Sequence, residues 1–382
     1  MNIGFDAKRA FHNSTGLGAY SRTLIRLLAA RYPEHHYYLF NPKPGNQFSM
    51  EGNDITEVLP TSFFNKLFSS AWRSRNVRQE LKKFSIDLYH GLSHELPIGI
   101  DKTGIRSVVT VHDLIHERYP GHYNPIDVRI YRKKFRYACE HANLVIAISA
   151  QTKSDIIQFY DLNPEKITVC YNTIDPAYCR DISEEEKDQI KKRLNLPDEF
   201  LLYIGSITER KNLLNIVKAL FLLRDEIKIP LLIIGDGGKY KQQVKDYAKQ
   251  QGIEKQLYFL SESDEVKKDP SFHSPDNLNR IYRTANMLLY PSLFEGFGLP
   301  VLEALSAGLP VITSNISSLP EVGGTAAYYV DPLQPGEIAE GIKKVYEDRE
   351  FCAELVAKGK QQAEKFSPDK YATRMMQIYQ SI

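Results

Sequence analysis

No stretch of the sequence approaches the roughly 18 uncharged apolar residues that a membrane-spanning helix needs. Cysteine is scarce, with four among 382 residues, at positions 139, 170, 179 and 352. Their spacing matches neither C-x-x-C metal pairs nor a secreted disulfide framework, which predicts reduced thiols in a cytosolic protein. An excess of one charge is missing too: 49 Lys and Arg face 47 Asp and Glu. A net charge of +2 creates no global field that would hold nucleic acid, so no nucleic-acid partner is expected, and any attraction to a bilayer must be local. The start, Met1-Asn2-Ile3-Gly4-Phe5-Asp6, carries neither the basic flank nor the apolar core of a signal peptide. Repeats of 20 to 50 residues and low-complexity tracts are absent as well, which excludes solenoids and disordered linkers. These absences predict a soluble, cytoplasmic chain, at most peripheral to the inner face of the membrane.

What remains is globular material. Apolar residues make up 42% and aromatics 11%, enough for two cores of about 150 to 200 residues each. Short apolar runs alternate with helical patterns along the whole length, the mark of parallel α/β architecture. Strands are expected at 2–5, 36–40, 88–90, 107–111 and 144–148 in the first half. The second half supplies 200–204, 230–234, 257–260, 287–290 and 311–313. Five strands apiece suffice for two doubly wound sheets. The predicted boundaries are 1–180 for the first domain and 196–366 for the second, with a charged helix at 181–195 between them. A final helix follows Phe366-Ser367-Pro368.

Several short motifs fall where such folds bind ligands. After the first strand, Gly16-Leu17-Gly18 opens a helix starting near Ala19, and a glycine-rich helix amino terminus attracts anions. Ser21 stands where a third dinucleotide-fingerprint glycine would be, and Asn41 where a ribose-binding acid would be, so a nicotinamide enzyme is disfavoured. His112-Asp113 ends a β-branched run, which aims His112 at the carboxyl edge of its sheet. In the second half Arg210-Lys211 precedes a helix, concentrating fixed positive charge where a diphosphate would fit. The most specific segment is Glu295-Gly296-Phe297-Gly298-Leu299-Pro300, with Glu303 eight positions after Glu295. Its glycines allow close backbone approach, Pro300 suits a first helical turn, and carboxylates can each accept two sugar hydroxyls.

Together these motifs resemble glycosyltransferase family 4. The E-x7-E pair Glu295 and Glu303, Arg210-Lys211, His112-Asp113 and the Gly16–Gly18 loop fall in the family's order across essentially the whole chain. The resemblance implies the GT-B fold: two Rossmann-like domains facing across a cleft, the last helix (367–382) crossing back to the first. It implies a retaining hexosyltransferase using a sugar nucleotide. Arg210 and Lys211 would bind the donor diphosphate, with amides near Gly16, Gly18, Gly296, Phe297, Gly298 and Leu299. Glu303 would hold the ribose, Glu295 the hexose, and His112 would lie beside the hexose 6-hydroxyl and anomeric centre. Consistent with that chemistry, the sequence offers no D-x-D metal cluster, and neither a metal nor a separate cofactor is expected. Similarity to bacterial surface-polysaccharide mannosyltransferases points to GDP-mannose, with a UDP-sugar as the alternative donor and a polysaccharide or lipid-linked glycan as acceptor. The rivals are a GT-B sugar-nucleotide epimerase, which would need no acceptor, and a non-catalytic sugar-nucleotide- or glycan-binding subunit. One stretch departs from the pattern: 261–279, where the family has a short loop near the base, is long and polar.

Charge also divides unevenly. Residues 1–180 carry 23 basic and 17 acidic residues, a net of +6. Phe63 to Phe84 concentrates six cations, including Arg73, Arg75 and Arg78, with Trp72 and four phenylalanines. This composition reads either as a solvated helix face or as a peripheral contact with anionic membrane through basic residues and aromatic anchors.

Overall fold

The computed structural model describes residues 1–49, 54–269 and 271–382. It divides into two compact units, Met1–Asn172 with Pro368–Ile382, and Thr173–Ser367. Residues 173–195, including the Glu184–Leu194 helix, thus pack with the second unit. That helix opens with a capping box, Ser183 and Glu186 each bonding the other's backbone N–H.

The first unit is built on a seven-stranded sheet: β1 (Asn2–Asp6), β2 (His36–Phe40), β3 (Ile55–Val58), β4 (Leu88–Gly91), β5 (Arg106–Val111), β6 (Leu144–Ala147) and β7 (Ile167–Val169). Its spatial order is β3-β2-β1-β4-β5-β6-β7, and every pairing is parallel. The second unit holds β8 (Leu201–Ile204), β9 (Leu231–Ile234), β10 (Leu257–Phe259), β11 (Met287–Tyr290), β12 (Val311–Ser314) and β13 (Ala327–Val330). Its order, β10-β9-β8-β11-β12-β13, is again all parallel. In both sheets the strand order reverses between the first and fourth strands, β1 and β4 or β8 and β11, so each has a switch point where the loops after those strands diverge. The central strands read as unbroken apolar runs because helices cover both faces; all four residues of β8, β9 and β11 are buried.

Five strands per half was too few. The three unforeseen strands, β3, β7 and β13, all lie at sheet edges. Ile-Thr-Glu-Val, Ile-Thr-Val and Ala-Tyr-Tyr-Val are short and half-exposed, so they lack the apolar run that marks a central strand. The polar stretch 261–279 holds, among its described residues, the helix Asp264–Lys267 and the start of the helix Pro275–Tyr282, capped by Ser263 and Ser274. Pro270 lies outside the described residues.

The carboxyl-terminal helix, Pro368–Gln380, belongs to the first unit, where Tyr371, Met375, Met376 and Tyr379 join the core beneath β1 and β4. Tyr379 also bonds His90 Nδ1 at 2.6 Å, while His90 Nε2 meets Thr110 Oγ1 at 2.8 Å.

Two residues of the basic, aromatic stretch 63–84 are turned inward, which fits neither a solvated face nor a membrane contact at those positions. Trp72 is fully buried in the core. Arg73 reaches the buried carboxylate of Asp6 at the end of β1, its Nε 2.9 Å from both oxygens, and Nη1 lies 2.9 Å from Glu95. An arginine held by two carboxylates cannot also serve lipid phosphates, so Arg73 is structural.

Candidate functional site

The second unit gathers its charged motifs at the switch point. The loop leaving β8 makes one turn of 3-10 helix, Glu209–Lys211, before the Leu213–Leu222 helix. The loop leaving β11 carries Glu295 and ends at the Leu299–Ser306 helix. A backbone bond from Leu293 N to Arg210 O, 2.8 Å, ties the two loops together. Asn212, in the left-handed conformation, donates its side-chain amide to the carbonyls of Pro291 (2.9 Å) and Pro332 (2.7 Å). That buried amide therefore fixes three loops at once.

Glu295 is the hub. Its Oε1 lies 2.6 Å from Lys211 Nζ, 3.0 Å from Arg210 Nη1 and 3.1 Å from the Tyr290 hydroxyl, which donates to it. Arg210 also donates to the Phe294 carbonyl and Lys211 to the Tyr290 hydroxyl, its ammonium 4.7 Å from the centre of that ring. The backbone of Glu295 is pinned by Ser317, which accepts from its N–H at 3.0 Å and donates to its carbonyl at 2.7 Å. Ser318 donates to the carbonyls of Glu295 and Phe297. Burial pushes the Glu295 carboxyl up, but Lys211 and Arg210 outweigh it and hold the group down at about 2. Two cations and one carboxylate sum to +1, which leaves the cluster with a net attraction for an anion.

Gly298 begins the following helix with a φ of +114°, a conformation that favours glycine. A Cβ there would also stand 2.8 Å from Leu319 Cδ2. Four residues into that helix, half-buried Glu303 accepts from the Tyr282 hydroxyl at 2.7 Å, with the Tyr178 hydroxyl also bonding it. Burial raises its carboxyl to about 7 despite these hydroxyls. The two acids of the motif therefore differ in charge state at neutral pH, Glu295 ionised and Glu303 near its midpoint.

Their effects on stability are opposite in sign. Glu295, depressed, contributes stability present above the ordinary carboxylate range and lost as pH falls toward about 2. Glu303, raised, favours the folded state most at low pH, and that contribution disappears as pH rises through about 7. Thermal unfolding should accordingly show Glu303→Gln gaining on the parent between pH 5 and 8. A difference that stays constant across that range would contradict the assignment.

Gly16, Gly18 and His112 belong to the first unit. The helix there begins at Gly16 rather than near Ala19. Asn13 organises its first turn: the Asn13 side-chain oxygen accepts from the N–H groups of Thr15 and Gly18, each at 3.0 Å. A Cβ on Gly18 would fall 1.7 Å from the Asn13 carbonyl oxygen, so this glycine is required by close backbone approach. At Gly16, among the described residues beyond its chain neighbours, no atom lies within 4 Å of the equivalent position.

His112 follows β5 and is buried. Its Nε2 lies 2.8 Å from the Leu92 carbonyl and must donate to it, which leaves Nδ1 as the ring's acceptor. The His112 N–H donates to His94 Nε2 at 2.9 Å, and the Tyr20 ring meets the imidazole edge-on with centroids 4.5 Å apart. Burial, then His94, lowers His112 to about 3, so it is neutral at physiological pH.

Sequence reasoning missed Asn212, Tyr290, Tyr282 and Tyr178. Tyr290 and Asn212 adjoin recognised motifs and could have been included on position alone. Tyr178 and Tyr282 reach Glu303 from distant segments and left no local signal.

Residues 14–178 match the family model described as glycosyltransferase family 4, and residues 184–362 match that of glycosyl transferases group 1. The chain is 27% identical over 395 residues to O-antigen chain mannosyltransferase B of Escherichia coli, covering 99% of each. It is 30% identical over 285 residues to the serotype-specific mannosyltransferase WbdA of Escherichia coli, covering 73% of this chain and 34% of that one. Anabaena HepE, solved in complex with UDP and glucose, superposes over the whole of both chains with a TM-score of 0.74 at 16% identity. WaaG, a glycosyltransferase involved in lipopolysaccharide biosynthesis, gives 0.69 at 17% identity, with 99% of each chain covered. At such identities the two structures establish a shared fold.

Proposed function

This chain belongs to glycosyltransferase family 4 and has the GT-B pair of Rossmann-like units, and from that premise we propose that it transfers mannose from GDP-mannose, with retention of configuration, to a polysaccharide or lipid-linked glycan. The observation that carries the reading is the meeting of Arg210, Lys211 and Glu295 at the switch point of the second sheet.

In the proposed reaction the bond between the anomeric carbon and the diphosphate oxygen breaks as the acceptor oxygen attacks the same face. The acceptor proton passes to the departing diphosphate. Negative charge grows on that diphosphate and positive charge on the sugar ring. Arg210 and Lys211 stabilise the first, and Glu295, released from them, serves the sugar. Glu303 receives the ribose hydroxyls. His112, neutral and with an acceptor Nδ1, can take a hydrogen bond from a sugar hydroxyl without adding charge. Gly16, Gly18 and the 296–299 segment supply backbone approach to phosphate. The mannose assignment draws on the E. coli mannosyltransferase relatives.

A donor panel tests this proposal. GDP-mannose should raise the unfolding temperature more than UDP-glucose, UDP-galactose or ADP-glucose. Mannose transfer should persist in excess chelator, because side-chain cations supply the charge. Activity abolished by chelator and restored by magnesium would overturn the phosphate chemistry, and preference for a UDP-sugar would overturn the donor.

A further inference from the structure

The first unit carries an apolar projection beside a cationic pocket. On the short helix Phe63–Leu67 and the residue after it, Phe63, Phe64, Leu67 and Phe68 are 76%, 71%, 63% and 58% exposed. Water around four such neighbouring side chains is costly, and single exposed apolar residues do not form patches of this kind. The projection is rooted rather than frayed: Ser62 caps the helix by accepting from Asn65 N at 3.2 Å, and Trp72 behind it is buried in the core.

Directly adjoining it is a cavity of about 250 Å³ walled by Arg75, Arg78, Lys82 and Lys102. Asn76 joins the two features, since it lines the cavity and donates to Asn65 of the phenylalanine helix at 2.9 Å. Among the described residues no acid lines the cavity. Between Glu57 and Asp87 the sequence has one acid, Glu80, which lies 3.9 Å from Lys83; Asp101 neighbours Lys102 on the other wall. Arg78 is steadied by the carbonyls of Arg75 (3.0 Å) and Gly99 (3.4 Å).

We propose that this face docks on an anionic bilayer, with the four apolar side chains entering the acyl boundary and the Arg75–Arg78–Lys82–Lys102 pocket receiving a lipid phosphate. The two features demand different things of one ligand. A free phosphate would satisfy the pocket and leave the phenylalanines in water. A neutral apolar surface would cover the phenylalanines and leave four cations without counter-charge. An anionic lipid surface satisfies both, at the depths where apolar anchors and basic residues sit in interfacial helices.

The test is co-sedimentation of the full chain with vesicles of phosphatidylcholine alone and of equimolar phosphatidylcholine and phosphatidylglycerol. The parent should bind the anionic vesicles about a hundredfold more tightly than the neutral ones. Arg75→Gln/Arg78→Gln/Lys82→Gln should weaken anionic binding about a hundredfold and remove the preference. Phe63→Ser/Phe64→Ser/Leu67→Ser/Phe68→Ser should weaken binding to a similar degree. Lys343→Gln/Lys344→Gln/Lys358→Gln, which removes exposed cations of the second unit, should bind like the parent. If a multiple variant unfolds at lower temperature than the parent, the single exposed changes Phe64→Ser and Lys82→Gln should still weaken binding in the same sense. Equal binding to both vesicle types, parent-like binding by either patch variant, or equal loss in the second-unit control would overturn the proposal.

Discussion

Glu295→Gln is expected to lower transfer about 10²- to 10³-fold while leaving affinity for free GDP undiminished or increased. The Glu295 carboxylate engages both Lys211 and Arg210, at 2.6 and 3.0 Å. A diphosphate arriving at those cations must displace the carboxylate, and a neutral amide competes less well for them. The catalytic loss has a separate origin: the ring gains positive charge only as the transition state forms, so a charged partner on the sugar matters most there. Glu303→Gln should behave differently, weakening GDP by about 1–3 kcal/mol, since in the proposed role the ribose exchanges a two-oxygen carboxyl acceptor for an amide with one. Titrating GDP into both variants and measuring kcat and KM distinguishes them. GDP affinity falling equally in the two would show that the two acids have not been assigned correctly.

Lys211→Met should remove transfer to a similar extent, about 10²- to 10³-fold, and weaken GDP by roughly 1.5–3 kcal/mol, the range for hydrogen bonds to charged groups. Lys211 is also the largest attraction holding the Glu295 carboxyl low. Without it that carboxyl should titrate at higher pH, so the acid limb of the kcat/KM profile should move upward. Arg210 remains paired with Glu295, which keeps the carboxylate from being left buried and uncompensated. Retained transfer with an unmoved acid limb would contradict the role given to Lys211.

What could be read from the sequence follows from how local each signal is. The Glu295–Pro300 segment is a contiguous strand-loop-helix junction, and its glycine, proline and acids each announce a backbone requirement or a charge. Central strands such as β8 and β11 were legible because burial on both faces forces unbroken apolar runs. Edge strands β3, β7 and β13 face that pressure on fewer sides, and their mixed residues hid them. Pairings between distant segments were invisible. Arg73 looked like one cation in a basic run because Asp6 and Glu95, its partners, lie 67 and 22 positions away. Likewise nothing near Glu303 disclosed Tyr178 and Tyr282, whose hydroxyls accompany its burial. The exposure of Phe63, Phe64, Leu67 and Phe68, against the burial of Trp72, equally required coordinates.

The central claim is that Arg210 and Lys211 form the diphosphate site of a nucleotide-sugar donor, and comparing GDP with GMP by calorimetry tests it most directly. GDP should bind about 10- to 100-fold more tightly than GMP to the parent, because its terminal phosphate meets both cations, and this gap should close in Arg210→Gln/Lys211→Met. UDP and UMP titrated in parallel separate an error about the base from an error about the phosphate. Equal affinity for diphosphate and monophosphate in both series, or a gap unchanged by removing the two cations, would contradict the account.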